Sequence, residues 1–299
     1  MLPQRWILNN HQWYTLATLL FVIGGQQVCA AEQIGRHEWQ TDYYDAYRQA
    51  QQDQKLLLIF FRDTQETPAA TAYTETVLPQ AELHETLDEY VRVVLPTDVE
   101  VPGEDDQPAT RLLDHEAFKH MEQQQGIAVM DLIDDETGQY GKLISAHPFS
   151  PGRFYSLRAT QTVLGLPRAS ITQRALIYAI RIHPESPKST ESDVDAHLLS
   201  ETHKHSKVMA RIEQVGHHNW DRRFHELNAH FDNLIVGEVA AVSWGGETLI
   251  EGAKDCVHAW RQSPGHWAGV SGKHVFYGYD LVLGASGKWY ATGLFASAE

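Results

Sequence analysis

Trp260-Arg261-Gln262-Ser263-Pro264-Gly265-His266 sets the pattern of the C-terminal third. Its tryptophan closes the stripe Ile250, Ala253, Val257 and Trp260, spaced three and four apart as on one face of a helix. The helix is expected to stop before Ser263-Pro264-Gly265, and a histidine follows at once. Upstream, 196–213 reads as another helix, with Leu198, His205, Met209 and Ile212 near one face. Gly216 suits its C-cap, and His217 comes next. Val236 to Ala241 is a run of small residues carrying one carboxylate, Glu238. Downstream, 276–283 and 288–295 read as two strands joined at Gly284-Ala285-Ser286-Gly287, a hairpin.

Five motifs recur in order along this third. They are H-S-x-x-M-A from His205, V-G-H-x-x-W-x-x-R-F from Val215, G-E at Gly237-Glu238, W-x-x-S-P-G-H from Trp260 and W-Y-x-x-G-x-F from Trp289. Together they resemble a bacterial SCP domain of the CAP superfamily, over about one third of the chain. The W-x-x-S-P-G-H run is the most specific element.

That resemblance implies an α-β-α sandwich with a cleft lined by histidines and acids, which holds divalent metal in some members. Carried over residue by residue, His217 matches the first cleft histidine, Glu238 the acid of the G-E-N motif, and His266 the S-P-G-H histidine. His217, Glu238 and His266 would then form a candidate Zn²⁺ set with an open position for water. His218 or His205 would orient a ligand from behind. This sequence departs from the family at Val239, where the motif has asparagine, and over Arg261 to Ser263, where an acid is expected. The motif bringing a second cleft histidine in eukaryotic members has no match near Phe276 to Tyr279. The plain alternative is structural: His217 caps a helix end, and His266 hydrogen-bonds to Glu238 to hold a turn.

The N-terminal half reads differently. Residues 42–52 have helix-forming composition, and Lys55 to Phe61 is a short apolar run consistent with a buried strand. Tyr90 to Leu95 alternates as a second strand, Leu112 to Gln125 is an expected helix, and 126–133 with 141–145 reads as a hairpin. This order, with the opening W-x-x-D-Y-x-x-A-Y, resembles a thioredoxin-like domain over 38–150. Its redox chemistry needs a Cys-x-x-Cys pair at a helix N-terminus, and Glu66-Thr67-Pro68-Ala69 stands there instead. Disulfide exchange by that route is excluded. The cis-proline usual before the hairpin is also missing, with Ile127-Ala128 in its region. The pairing of the two resemblances is similar to exported proteins of planctomycete-type bacteria.

The fold class expected is therefore α/β: a thioredoxin-like domain at 38–150, a helical connector and linker at 151–195, and a CAP/SCP-type α-β-α sandwich at 196–299. Within the connector, 171–182 is apolar enough to be a docked helix, and the polar, breaker-rich 186–195 is the expected linker.

Residues 1–31 read as a secretory signal, with Arg5 before an apolar run at 14–24 and small residues at Val28-Cys29-Ala30. The expectation is an exported protein: periplasmic, surface-held or secreted, meeting a membrane only through an uncleaved signal. Cys29 would leave with the signal, so Cys256 alone remains, with no intramolecular disulfide and the role of a small core residue. A net charge of −15 over 299 residues argues against a nucleic-acid backbone as partner. Trp220, Trp244, Trp260 and Trp289 are expected in core packing. The leading functional expectation is a non-redox binding or scaffolding protein whose cleft takes a small ligand, a cell-envelope component or a divalent metal. The runner-up is a metal-dependent hydrolase of cell-wall or peptide bonds, with Glu238 as ligand or general base.

Overall fold

The computed structural model describes residues 31–63, 67–102, 108–135 and 137–298. The expected signal segment up to Ala30, with Cys29, lies outside these residues, as does Glu66. Among the described residues no helix is long and apolar enough to cross a membrane.

The first half builds on strand β3 (Leu56–Arg62), whose sequence LLLIFFR is apolar on both faces because both are covered. Before it come strands β1 (Ala31–Ile34) and β2 (His37–Gln40) and helix α1 (Tyr43–Asp53), started by the Asp42 carboxylate accepting from the Asp45 N–H. After it come helices α2 (Pro68–Ala72) and α3 (His84–Asp88), strand β4 (Tyr90–Pro96) and the short pair β5 (Glu100–Val101) and β6 (Thr110–Arg111). Strands β7 (Gly126–Asp131) and β8 (Lys142–Pro148) complete a six-stranded sheet in the order β1-β2-β4-β3-β7-β8. Strands β2, β4 and β3 run parallel, β7 is antiparallel to β3, and β8 is antiparallel to β7. One face carries Leu57, Ile59 and Phe61 against Ala46 and Ala50 of α1. The other carries Leu58 and Phe60 against Trp39, Tyr73 and Leu87.

The α-helix expected over 112–125 is instead two 3₁₀ turns, at Leu112–Asp114 and Glu116–Met121. The His115 side chain accepts from the Ala117 N–H and restarts the chain between them, a local bond that competes with a continuous helix.

Helices α4 (Leu157–Leu164) and α5 (Ile171–Arg181) follow. The α5 helix opens with a reciprocal cap between Ser170 and Gln173. It is buried from Gln173 to Ile180 because it lies between the two sheets. Arg174, fully buried, donates to Ser145 Oγ (2.7 Å) in β8 and to the carbonyls of Val163, Leu166 and Pro167 (2.9–3.0 Å) at the end of α4.

The segment 186–195, expected as an open linker, is docked. Ser189 is fully buried with its hydroxyl 2.7 Å from the Tyr279 hydroxyl, and the Ser189 N–H donates to the Val270 carbonyl. Polarity at Ser189 thus records a buried hydrogen bond to the second half rather than freedom.

The second half is a three-layer sandwich. Strand β9 (Asp193–Val194) leads into helix α6 (Ala196–Ile212), then helix α7 (Trp220–Asn228), strand β10 (Leu234–Gly245), helices α8 (Leu249–Arg261) and α9 (Pro264–Ser271), and strands β11 (Phe276–Leu283) and β12 (Lys288–Ala298). The sheet order is β10-β12-β11-β9, antiparallel except where β9 joins β11. Alternation in β12 sends Tyr290 and Leu294 toward α6, and Trp289, Ala291 and Phe295 toward α5 and α8. The chain is mixed α/β throughout.

Two smaller expectations are corrected. The left-handed residue ending α6 is Glu213 (φ 54°), not Gly216. Its carboxylate accepts from the Ser286 N–H (2.6 Å) in the β11–β12 turn, a contact that offsets the conformational cost. Trp260 and Trp289 are core residues, but Trp244 is 74% exposed because it lies past an irregularity in the β10–β12 register between Val242 and Gly245.

Candidate functional site

Three elements bring the candidate residues together. The α6 helix, capped by Asp195, turns His205 and Ser206 onto β12. Strand β10 projects Glu238 to the same side of the sheet. The loop after α6 carries His217, and α9 starts at Pro264 and delivers His266 in its first turn. The Ser263-Pro264-Gly265 segment, expected as a break, is the start of this helix, since proline suits the first helical position.

Glu238 is the hub, with a side chain 1% exposed. Its Oε1 accepts from Nδ1 of His217 at 2.9 Å, and its Oε2 accepts from the Arg223 guanidinium, itself stacked 5.6 Å over the Trp220 ring. His205 Nδ1 stands 3.4 Å from Oε2 and 3.1 Å from Thr292 Oγ1. Burial alone would raise the Glu238 acid, but the hydrogen bonds from His217 and Arg223 outweigh it and hold the carboxyl below its usual range. Burial lowers His205 to about 4, so that imidazole is neutral near pH 7. His266 is lowered by burial and by the neighbouring His217.

A carboxylate can only accept, so Nδ1 of His217 carries a proton, and in the neutral ring Nε2 then holds the lone pair. That Nε2 faces Nε2 of His266 at 3.5 Å. Two nitrogens at about 2.0–2.1 Å from one tetrahedral zinc stand roughly 3.4 Å apart, so the imidazole pair fits one edge of such a site. The expected set His217, Glu238 and His266 does not converge on one point, because Glu238 occupies the ring nitrogen opposite. It stands where a carboxylate orients a liganding histidine. Among the described residues no group of three or more His, Cys, Asp or Glu is arranged to hold a metal. Any ion here would have two protein ligands and take its others from solvent or ligand.

His218 bends away, its Nε2 3.0 Å from the Gln214 carbonyl oxygen and its ring 6.1 Å from that of His205. It does not join the pair. His205 packs behind Glu238, its Nδ1 3.4 Å from Oε2. The sequence reading passed over Arg223 and Thr292 as site residues. Arg223 was legible as the arginine of V-G-H-x-x-W-x-x-R-F, whereas Thr292 carried no signal, since its role depends on β12 lying beside α6. His266 meets His217 rather than Glu238, so the structural alternative of a His266–Glu238 bond is not what the geometry forms.

Two openings flank the pair. One, of about 470 Å³, lies at the start of α7 over Asn219 to Arg222. The other, of about 390 Å³, runs along β10 at Ala240 to Val242, between the loop at Val215 to His217 and Ala259 with His266. Cys256 is buried in α8, and burial pushes its thiol well above the usual value, which fits a packing role. No protein-family model matches this chain, and neither does any curated protein or solved structure compared with it.

Proposed function

We propose that the chain is an exported binding protein, a CAP-type α-β-α domain fused to a thioredoxin-like domain without redox cysteines. Its cleft takes a divalent metal ion such as Zn²⁺ on His217 and His266. The observation that carries the reading is the 3.5 Å approach of the two Nε2 atoms, with the far side of His217 fixed by a buried carboxylate. A bound ion would supply a Lewis-acidic anchor for an oxygen ligand lying in the groove. The fold reading draws support from the strand order β2-β4-β3-β7-β8 and its directions, and from the three layers of the second half. Export is supported by the charged and apolar pattern of residues 1–31.

Hydrolysis is the weaker reading. A general base needs a free lone pair near its substrate and a pKa near the working pH. Glu238 has both oxygens engaged, by His217 on one side and by Arg223 on the other, and its acid is held low.

Titration of metal-depleted protein with Zn²⁺, and with Co²⁺ read by visible absorption, tests the reading. One equivalent should bind, and both His217→Ala and His266→Ala should abolish it. Equal binding by the double variant, or no binding at millimolar zinc, overturns it.

A further inference from the structure

The helix that carries His266 holds little of its own position. The eight residues of α9, PGHWAGVS, include glycines at 265 and 269, and the Ser263 side chain provides no cap. A helix so short and so composed is marginal without packing. The place of the His266 imidazole is therefore set by what touches α9. One set of contacts comes from its own half: Val270 is fully buried, and a Cβ at Gly269 would stand 3.1 Å from Phe295 Cε2.

The other set comes from residues 183–189, which follow α5 and run beside α9. The His183 ring lies 4.9 Å from the ring of Trp267, the residue after His266. At the far end of α9, the Lys188 and Ser189 N–H groups donate to the Ser271 and Val270 carbonyls, both at 3.3 Å. The Arg261 guanidinium lies 5.5 Å from the Trp267 ring centre, and Glu185 of the same segment pairs with Arg261. Upstream the segment is tied to the first half. Arg181, the last residue of α5, donates to the Gly165 carbonyl after α4 (2.8 Å), and the Leu164 carbonyl accepts from the Tyr90 hydroxyl of β4 (2.6 Å). A strap anchored toward the first sheet thus bears on the helix whose first turn completes the imidazole pair. Binding groups must be held to about 0.5 Å to act together, and packing of neighbouring side chains is what holds them.

We infer that residues 183–189 are a positioning strap for His266, acting through Trp267, and that they set the distance between the two facing imidazoles. The effect on the pair stands on the ring and main-chain contacts, while any effect on metal rests on the ion site proposed above.

The test reads the pair in the full chain, with and without metal. In metal-free protein, a nuclear Overhauser signal between ring protons of His217 and His266 reports their approach. Trp267→Leu should abolish it, Trp267→Phe should keep it, and His183→Ala should reduce it at least twofold. For metal, Trp267→Leu should weaken zinc binding at least tenfold and shift the visible absorption of bound Co²⁺, whereas Trp267→Phe should stay within threefold of the parent. The strap is refuted if Trp267→Leu and His183→Ala leave the ring signal unchanged. A lower melting temperature with that signal intact makes Trp267 a packing residue only, which also refutes it. If Trp267→Leu does not fold, His183→Ala decides. A parent that binds no zinc overturns the ion site, and the ring signal still decides the strap; a parent without the ring signal overturns the strap itself.

Discussion

Replacing Glu238 by glutamine tests the hub of the site with almost no change of shape. The carboxylate serves two partners that the substitution separates. It neutralises Arg223, whose side chain is 11% exposed, and it accepts the Nδ1 proton of His217. Removing one charge of a buried pair costs about 3 kcal/mol or more, because the guanidinium stays buried without its counterion. The orienting role carries a separate cost, since loss of the carboxylate behind a liganding histidine lowers metal affinity about 10–100-fold. Urea unfolding of the metal-free protein reads the first effect and zinc titration the second. The double variant Glu238→Gln/Arg223→Met separates them: with both charges gone, stability should recover most of the loss while zinc affinity stays low. A Glu238→Gln variant within about 0.5 kcal/mol of the parent, with unchanged zinc affinity, would refute the reasoning on both counts.

Acid should destabilise the fold from an unusually high pH. Burial holds His147 at about 3 and His205 at about 4, while both titrate near 6.5 when unfolded. The unfolded chain therefore binds more protons below pH 6.5, and their stabilising contribution, complete above that value, is lost as pH falls toward 3–4. Urea midpoints measured across this window should drop, and His147→Phe should flatten the fall. Gly252→Ala should cost about 1–3 kcal/mol, because a Cβ there would come within 2.2 Å of Trp289 Cδ1; Gly265→Ala, with open space, is the matched control in thermal melts. Arg174→Met should destabilise by about 3 kcal/mol by orphaning the carbonyls of Val163, Leu166 and Pro167. Because α5 packs on both sheets, fluorescence and circular dichroism should still follow one transition.

The elements with strong internal period were legible before any coordinates. The stripe ending at Trp260 is α8, the hairpin at 284–287 is in place, and KLLLIFF is a buried strand. What failed depended on neighbours distant in sequence. Residues 186–195 look like a linker until Tyr279 and Val270 are there to take their hydrogen bonds. The 112–125 segment has helical composition, but one histidine side chain restarts it. Three of the five candidate site residues, His217, Glu238 and His266, form one continuous contact chain, and His205 stands behind them. Their roles were not legible, because which nitrogen of His217 meets the carboxylate is a matter of orientation. Spacing along the chain does not encode it.

The two edges of the second sheet are treated differently. At the β11 edge the chain covers itself: β9 pairs with Phe276 and Tyr277, and the docked segment before it is anchored on Tyr279. At the β10 edge the loop at Val215 to His217 and the start of α9 instead approach each other over the strand, and His217 meets His266 there. The polar groups of the candidate site converge there, with Glu238 on the edge strand, His217 on the loop and His266 on the helix. On the reading proposed above, an ion or oxygen ligand held by the facing imidazoles would join these two elements over the strand.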